Sequence, residues 1–87
     1  MFDASAQRVL AEVETAEARY GGFNSTHEAL GVIIEEFDEL RAAIHANALA
    51  SISHESCQVA AVALRLHDIC ERAMGGTADG FKARSGA

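Results

Sequence analysis

The chain of 87 residues contains no proline, and proline is the residue that most often interrupts a helix. It also lacks an apolar run approaching the ~18 residues of a membrane-spanning helix, so no membrane partner is predicted. No segment alternates apolar and polar residues between turn-forming residues, as a half-buried strand would. Together these absences predict an all-α protein.

Cysteine and basic residues are scarce. Cys57 and Cys70 lie in an apolar helical stretch with no secretory signal before them, so we expect no disulfide framework and a cytoplasmic location. Lys and Arg number 7 against 13 Asp and Glu, and the net charge is -6. Such a chain lacks the basic surface that nucleic-acid polymers require. It can still bind a phosphate ligand if metal ions supply the positive charge.

The length allows one small domain whose core is marginal, so we expect an oligomer to complete it. Apolar periodicity predicts an antiparallel bundle of three helices, over residues 3–20, 26–46 and 54–74. The third is apolar on nearly every side and is therefore predicted to be central. Residues 1–74 would form the domain, and residues 75–87 a flexible tail.

Helix ends are predicted from local capping signals. Gly21 and Gly22 end the first helix, because glycine adopts the left-handed conformation at low cost. Ser25 followed by Glu28 is a capping-box sequence that starts the second helix. Serine or aspartate N-caps are predicted for the first and third helices at Asp3, Ser5, Ser51 and Ser53.

The second helix carries an apolar stripe with acidic residues along one flank. At about 100° per residue, Glu36 and Glu39 lie side by side on that flank, next to Glu35. Half-buried like charges repel and are poorly hydrated, so they need protons, basic partners or a divalent cation. The stripe, which is predicted to be buried, consists of Leu30, Ile33, Phe37, Leu40 and Ile44.

The third helix carries a second polar pair beside its apolar face, formed by Glu55 and Gln58. If the second and third helices pack antiparallel through their stripes, the two acidic motifs converge. Oxygen donors at i and i+3 on facing helices suit a hard cation such as Mg²⁺. The alternatives are that the acids form a solvated face, and that Glu55 only favours the helix dipole near a helix start.

Three segments together resemble the MazG-like all-α nucleoside triphosphate pyrophosphohydrolases, and most closely their short phage and bacterial members. The resemblance covers residues 1–74. That family's signature is EExxE, a variable spacer and ExxD, and this chain departs from it at Gln58. The matching segments are Asn24-Ser25-x-His27-Glu28, Glu35-Glu36-x-x-Glu39 and Glu55-x-x-Gln58-Val59-Ala60-Ala61.

The resemblance implies a metal-dependent hydrolase that works as a homodimer or homotetramer. Mg²⁺, or Mn²⁺ in its place, would be held by carboxylates of two helices. Water would attack the α-phosphorus of a nucleoside or deoxynucleoside triphosphate, releasing the monophosphate and pyrophosphate. The residues implied as metal ligands are Glu36, Glu39, Glu55 and Gln58, and Glu35 would be a further ligand or would orient the attacking water.

The departure at Gln58 leaves two readings open, because an amide is a weaker metal ligand than a carboxylate. In the first, the protein binds fewer metal ions or binds them more weakly. In the second, it is a nucleotide sensor or a helical regulatory module and does not hydrolyse nucleotides. Asn24 and His27 are candidates for contacting base or sugar, with helix capping as the alternative. Arg65 is a candidate phosphate ligand, with a salt bridge to a neighbouring carboxylate as the alternative.

Overall fold

A computed structural model describes residues 1–76 of the chain. Three helices account for the regular structure in this part: α1 (Asp3–Tyr20), α2 (Thr26–His45) and α3 (Leu49–Gly76). The all-α class and the number of helices are therefore confirmed. Most of the predicted tail, residues 77–87, lies outside the described residues. No helix within residues 1–76 has the length and apolar character needed to cross a bilayer.

Helix α3 is the central element, as predicted. It packs against both α1 and α2, whereas α1 and α2 make no packing contact with each other in the described part of the chain. The tightest packing is provided by small residues, since Ala29, Ala43, Ala61 and Val62 are the buried apolar side chains. Small side chains let the helix backbones approach closely, and this closeness is what brings polar groups of α2 and α3 together.

Both predicted capping signals around residues 21–28 are confirmed. Gly21 ends α1 with a φ of 74°, and its N–H donates to the Glu17 carbonyl oxygen at 2.9 Å. Ser25 caps α2 by accepting the Glu28 N–H at 3.1 Å. The Glu28 carboxylate accepts the backbone N–H of Asn24 at 2.8 Å. The turn between α1 and α2 is thereby fixed at both ends.

The other predicted N-caps were wrong. The N-cap of α1 is Phe2, which offers no side-chain acceptor, and Asp3 lies in the first turn, where its charge favours the helix dipole. Helix α3 starts at Leu49, five residues before the predicted start, so the serines at 51 and 53 lie inside it. The alanine-rich segment continues as helix because of its high propensity, interrupted only by a turn at Asn47, whose φ is 56°. The helix also runs through Gly76, two residues past the predicted end.

The stripe predicted as the core of α2 is not the face that α2 buries within one chain. Leu30, Phe37 and Ile44 are about half exposed, at 51%, 55% and 49%. The buried positions are Ala29 and Ala43, which lie about 100–140° around the helix from Leu30. Two members of the stripe, Ile33 and Leu40, are partly buried, so the prediction holds for these two and is wrong for the other three.

Candidate metal site and cavity

Three glutamates converge between α2 and α3. Each of Glu36, Glu39 and Glu55 offers a carboxylate oxygen, and these oxygens all lie within 4.8 Å of one another. The chain folds back between α2 and α3 around Asn47, and Glu39 and Glu55 each lie eight residues from it. A tight helical hairpin therefore brings them to the same level. Glu36 is one turn before Glu39 on the same side of α2.

Two oxygens of this cluster are buried without a hydrogen-bond partner: Oε2 of Glu36 and Oε1 of Glu55. A buried carboxylate oxygen with no donor is costly, and most buried polar atoms in proteins are satisfied. Hard oxygen donors at this separation fit a cation such as Mg²⁺ or Mn²⁺, which would bind both orphaned oxygens. The side chains present therefore fit the metal that the sequence predicts.

The cluster raises the pKa of two of its carboxyl groups. The pKa of Glu36 lies above its ordinary value of 4.5 first because of burial, and then because of the charges of Glu39, Glu55 and Glu35. The pKa of Glu39 is raised first by a side-chain hydrogen bond with Glu55, then by the charge of Glu55. In both cases His54 opposes the increase. Crowding of like charges between the two helices is thus a shared cause of both raised pKa values.

The glutamates form one wall of a cavity of about 730 Å³ between the three helices. Cavities of roughly 300–1,000 Å³ are typical of small-molecule sites. Tyr20, Phe23 and Asn24, from the turn between α1 and α2, also line it. The lining of the cavity is strongly negative, because it contains only two arginines but six glutamates: Glu12, Glu28, Glu35, Glu36, Glu39 and Glu55. An anionic ligand can enter such a cavity only together with cations.

Most of the predicted site residues line this one cavity. Glu35 and Gln58 are there beside the three converging glutamates, and Asn24 is there as well. Asn24 also fulfils the capping alternative, since its backbone N–H and its side-chain amide both donate to Glu28, at 2.8 and 3.4 Å. His27 does not line the cavity and is exposed in the first turn of α2, so its contact with base or sugar stays a prediction.

Arg65 forms a salt bridge with a carboxylate, which is the alternative that the sequence offered to phosphate binding. Its side chain is buried, Nε donates to Glu17 Oε2 at 2.7 Å, and Nη2 donates to the Gly21 carbonyl oxygen at 3.0 Å. The guanidinium also stacks on the Phe23 ring, with 4.1 Å between Cζ and the ring centroid. Arg65 therefore ties α3 to the end of α1 and to the turn that closes the cavity.

Sequence reasoning missed the contribution of α1 to the cavity. Glu12, Thr15 and Arg19 line the cavity, and Glu12 is half-buried. Their spacing of three and four residues is a signal that places all three on one helix face. His54 was missed as well, although it precedes Glu55 and lies near the acidic cluster.

No protein-family model matches this chain, and neither a curated protein nor a solved structure matches it. Function is therefore inferred from the glutamate cluster and the cavity beside it.

Proposed function

We propose that the protein is a divalent-cation-dependent nucleoside triphosphate pyrophosphohydrolase of the MazG-like type. It would convert a nucleoside or deoxynucleoside triphosphate into the monophosphate and pyrophosphate. The observation that carries the proposal is the pair of buried, unpartnered carboxylate oxygens of Glu36 and Glu55, beside Glu39, on the wall of a nucleotide-sized cavity.

The three converging glutamates hold the cation in this proposal. Mg²⁺ or Mn²⁺ bound there supplies charge neutralisation for the triphosphate and a lowered pKa for a bound water. Glu35 is exposed on the same wall, where its carboxylate can accept a proton from the attacking water. Gln58 contributes a neutral amide oxygen, which makes the donor set less negative than one completed by aspartate.

The remaining walls suit the rest of a nucleotide. Arg65 is engaged by Glu17 and Gly21, so the candidate for contacting phosphate is Arg19, an exposed arginine on the cavity wall. Tyr20 and Phe23 present aromatic rings at the turn, where a base can stack. A homodimer or homotetramer is part of the proposal, because the core of one chain consists of small residues.

The test is pyrophosphate release from a panel of nucleoside and deoxynucleoside triphosphates with Mg²⁺. We expect release from at least one of them, and loss of release in Glu36→Gln and in Glu39→Gln. Glu14→Gln is the matched control, because Glu14 is exposed on α1 and does not line the cavity. No release from any nucleotide, together with a melting temperature unaffected by Mg²⁺, would refute the proposal.

A nucleotide sensor is the second candidate, and the neutral Gln58 in the cavity is the observation that favours it. It predicts Mg²⁺-dependent nucleotide binding in calorimetry with no product. Gln58→Asp separates the two candidates. In a hydrolase this variant tightens Mg²⁺ binding and retains turnover, whereas in a sensor it tightens Mg²⁺ binding without producing turnover.

A further inference from the structure

A second, smaller cavity of about 330 Å³ adjoins the main one. Within residues 1–76 it is lined by α1 and α3 alone, whereas the main cavity is lined by all three helices. Glu12, His54 and Gln58 line both cavities, so they mark the junction, which lies at the level of Glu55. We call the smaller space the side cavity.

The side cavity is much less acidic than the main cavity. Its lining contains one carboxylate, that of Glu12, against six in the main cavity. Arg8, Ser53 and His54 also line it, and each carries N–H or O–H donors that can bind phosphate oxygens. Arg8 makes no ion pair within residues 1–76, and Gln58 adds an amide donor at the junction. The side cavity therefore suits an anion better than the main cavity does.

The start of α3 adds positive charge to the side cavity. Ala50 and Ser53, among the first five residues of α3, line it, and the N-terminus of a helix carries partial positive charge. The Cys57 thiol donates to the carbonyl oxygen of Arg8 at 3.8 Å, so the backbone of Arg8 lies against the same end of α3. The charge of the arginine and that of the helix terminus thus act on one space.

The order of these features along α3 matches the order of groups in a nucleoside triphosphate. Arg65, which stacks on Phe23 at the turn, lies ten residues from Glu55, or about 15 Å along the helix axis. Ala50 lies five residues, or about 8 Å, beyond Glu55 in the same direction. A base at the aromatic turn and an α-phosphorus at the glutamates therefore leave the β- and γ-phosphates at the side cavity.

We propose that the side cavity is the leaving-group site of this protein. It binds the β- and γ-phosphates of the substrate, and then the pyrophosphate product, through Arg8, Ser53 and His54. The chemical class of its ligand is thus an inorganic diphosphate or the diphosphate end of a nucleotide. This inference rests on the proposed function and adds to it a second binding region, outside the acidic cluster.

The geometry of the reaction agrees with this assignment. The oxygen of water forms a bond to the α-phosphorus while the bond from that phosphorus to the α–β bridging oxygen breaks, and the bridging oxygen leaves with its electron pair on pyrophosphate. The attacking and leaving oxygens lie roughly in line in phosphoryl transfer. Glu35, which can accept the proton of the water, lies on α2. The leaving group therefore departs toward α1 and α3, which enclose the side cavity.

Pyrophosphate itself is the probe that tests the leaving-group site. Its Kd with Mg²⁺ present is measured by isothermal titration calorimetry, and its inhibition constant is measured against triphosphate hydrolysis. Arg8→Gln should raise both about 10-fold, because it removes a charged hydrogen-bond donor, and should leave the Kd of the nucleoside monophosphate unchanged. Arg41→Gln is the matched control, since it removes the same charge from α2 and lines neither cavity. Unchanged pyrophosphate binding in Arg8→Gln would overturn the inference.

A pair of serine variants tests the same site by adding charge. Ser51 and Ser53 both lie near the start of α3, but only Ser53 lines the side cavity. Ser53→Glu should raise the Kd of pyrophosphate about 10-fold, because it places a carboxylate against the phosphates, whereas Ser51→Glu should change it about twofold or less. Equal weakening by both variants would show general repulsion and would count against a site at Ser53.

The leaving-group site and the proposed function fail in different ways. If triphosphates are hydrolysed but Arg8→Gln and Ser53→Glu bind pyrophosphate like the wild type, the leaving-group site is wrong and the hydrolase stands. If no triphosphate releases pyrophosphate, the proposed function is wrong, and the leaving-group assignment is overturned with it.

Discussion

Replacing Glu36 with glutamine should stabilise the protein when no divalent cation is present. The substitution removes a negative charge whose carboxylate is partly buried and crowded by other carboxylates. It keeps the size of the side chain and adds an amide that can donate a hydrogen bond. The same change should remove most of the stabilisation that Mg²⁺ gives, because one of the orphaned oxygens no longer carries charge.

The magnitude follows from the separation within the cluster. Oxygens of Glu36 and Glu55 lie within 4.8 Å. Two unit charges at that distance repel by about 0.9 kcal/mol in water and by about 3.5 kcal/mol at an effective dielectric constant of 20. Glu36 remains open to solvent on one side, so screening favours the lower part of this range, about 1–2 kcal/mol. For a domain of this length that corresponds to a rise of about 5–10 °C in melting temperature.

The assay is thermal unfolding in EDTA and in MgCl₂ at one fixed protein concentration. Saturation at about 100 times Kd would stabilise the wild type by about 2.7 kcal/mol, and Glu36→Gln by much less. Glu14→Gln, an exposed glutamate of α1, should follow the wild type in both buffers. The reasoning is refuted if Glu36→Gln melts below the wild type in EDTA, or if it retains the full Mg²⁺ shift.

The pH dependence of stability gives an independent check on the same site. The folded pKa of Glu36 is raised above the unfolded value of 4.5. Between these two values the folded state holds more protons than the unfolded state, so stability falls as pH rises through the folded pKa. In EDTA the wild type should therefore lose stability from about pH 4.5 upward more steeply than Glu36→Gln. Equal slopes in chemical denaturation across this range would contradict the assignment.

Five further substitutions test the turn that closes the cavity. Arg65→Met should destabilise the protein by about 2–4 kcal/mol in urea unfolding, because it leaves Glu17 unpaired. Arg65→Lys should not restore stability, because a lysine ammonium cannot replace the planar guanidinium that stacks on Phe23. Full rescue by lysine would contradict this reasoning. Gly21→Ala should cost about 1 kcal/mol or more at a φ of 74°, whereas Gly22→Ala, whose Cβ would make only an ordinary contact at 3.9 Å, should cost less. Equal costs would show that backbone conformation does not decide this position. Ser25→Ala should cost about 1 kcal/mol by removing the N-cap of α2, and an unchanged unfolding midpoint would exclude that role.

The sequence by itself determined the features that depend on local interactions. Helix α1 ends where the glycines predict and α2 begins where the capping box predicts, because those signals act within a few residues. The start of α3 was misplaced because serine favours N-caps, while the alanine-rich segment around it favours continuing helix. The two acidic motifs were also visible, since their spacing alone places each on one helix face.

Only the tertiary structure decided which side of each helix meets its neighbour. Periodicity gives the angular position of Leu30, Glu36 and Ala43 around α2, but the sector that α3 fills depends on which surfaces fit each other. Small residues allow the closest approach, so α3 packs on Ala43 and brings Glu36 against Glu55, while Leu30 stays half exposed. Burial, the raised pKa of Glu36 and the cavity all arise from that choice, because each depends on atoms far apart in the chain.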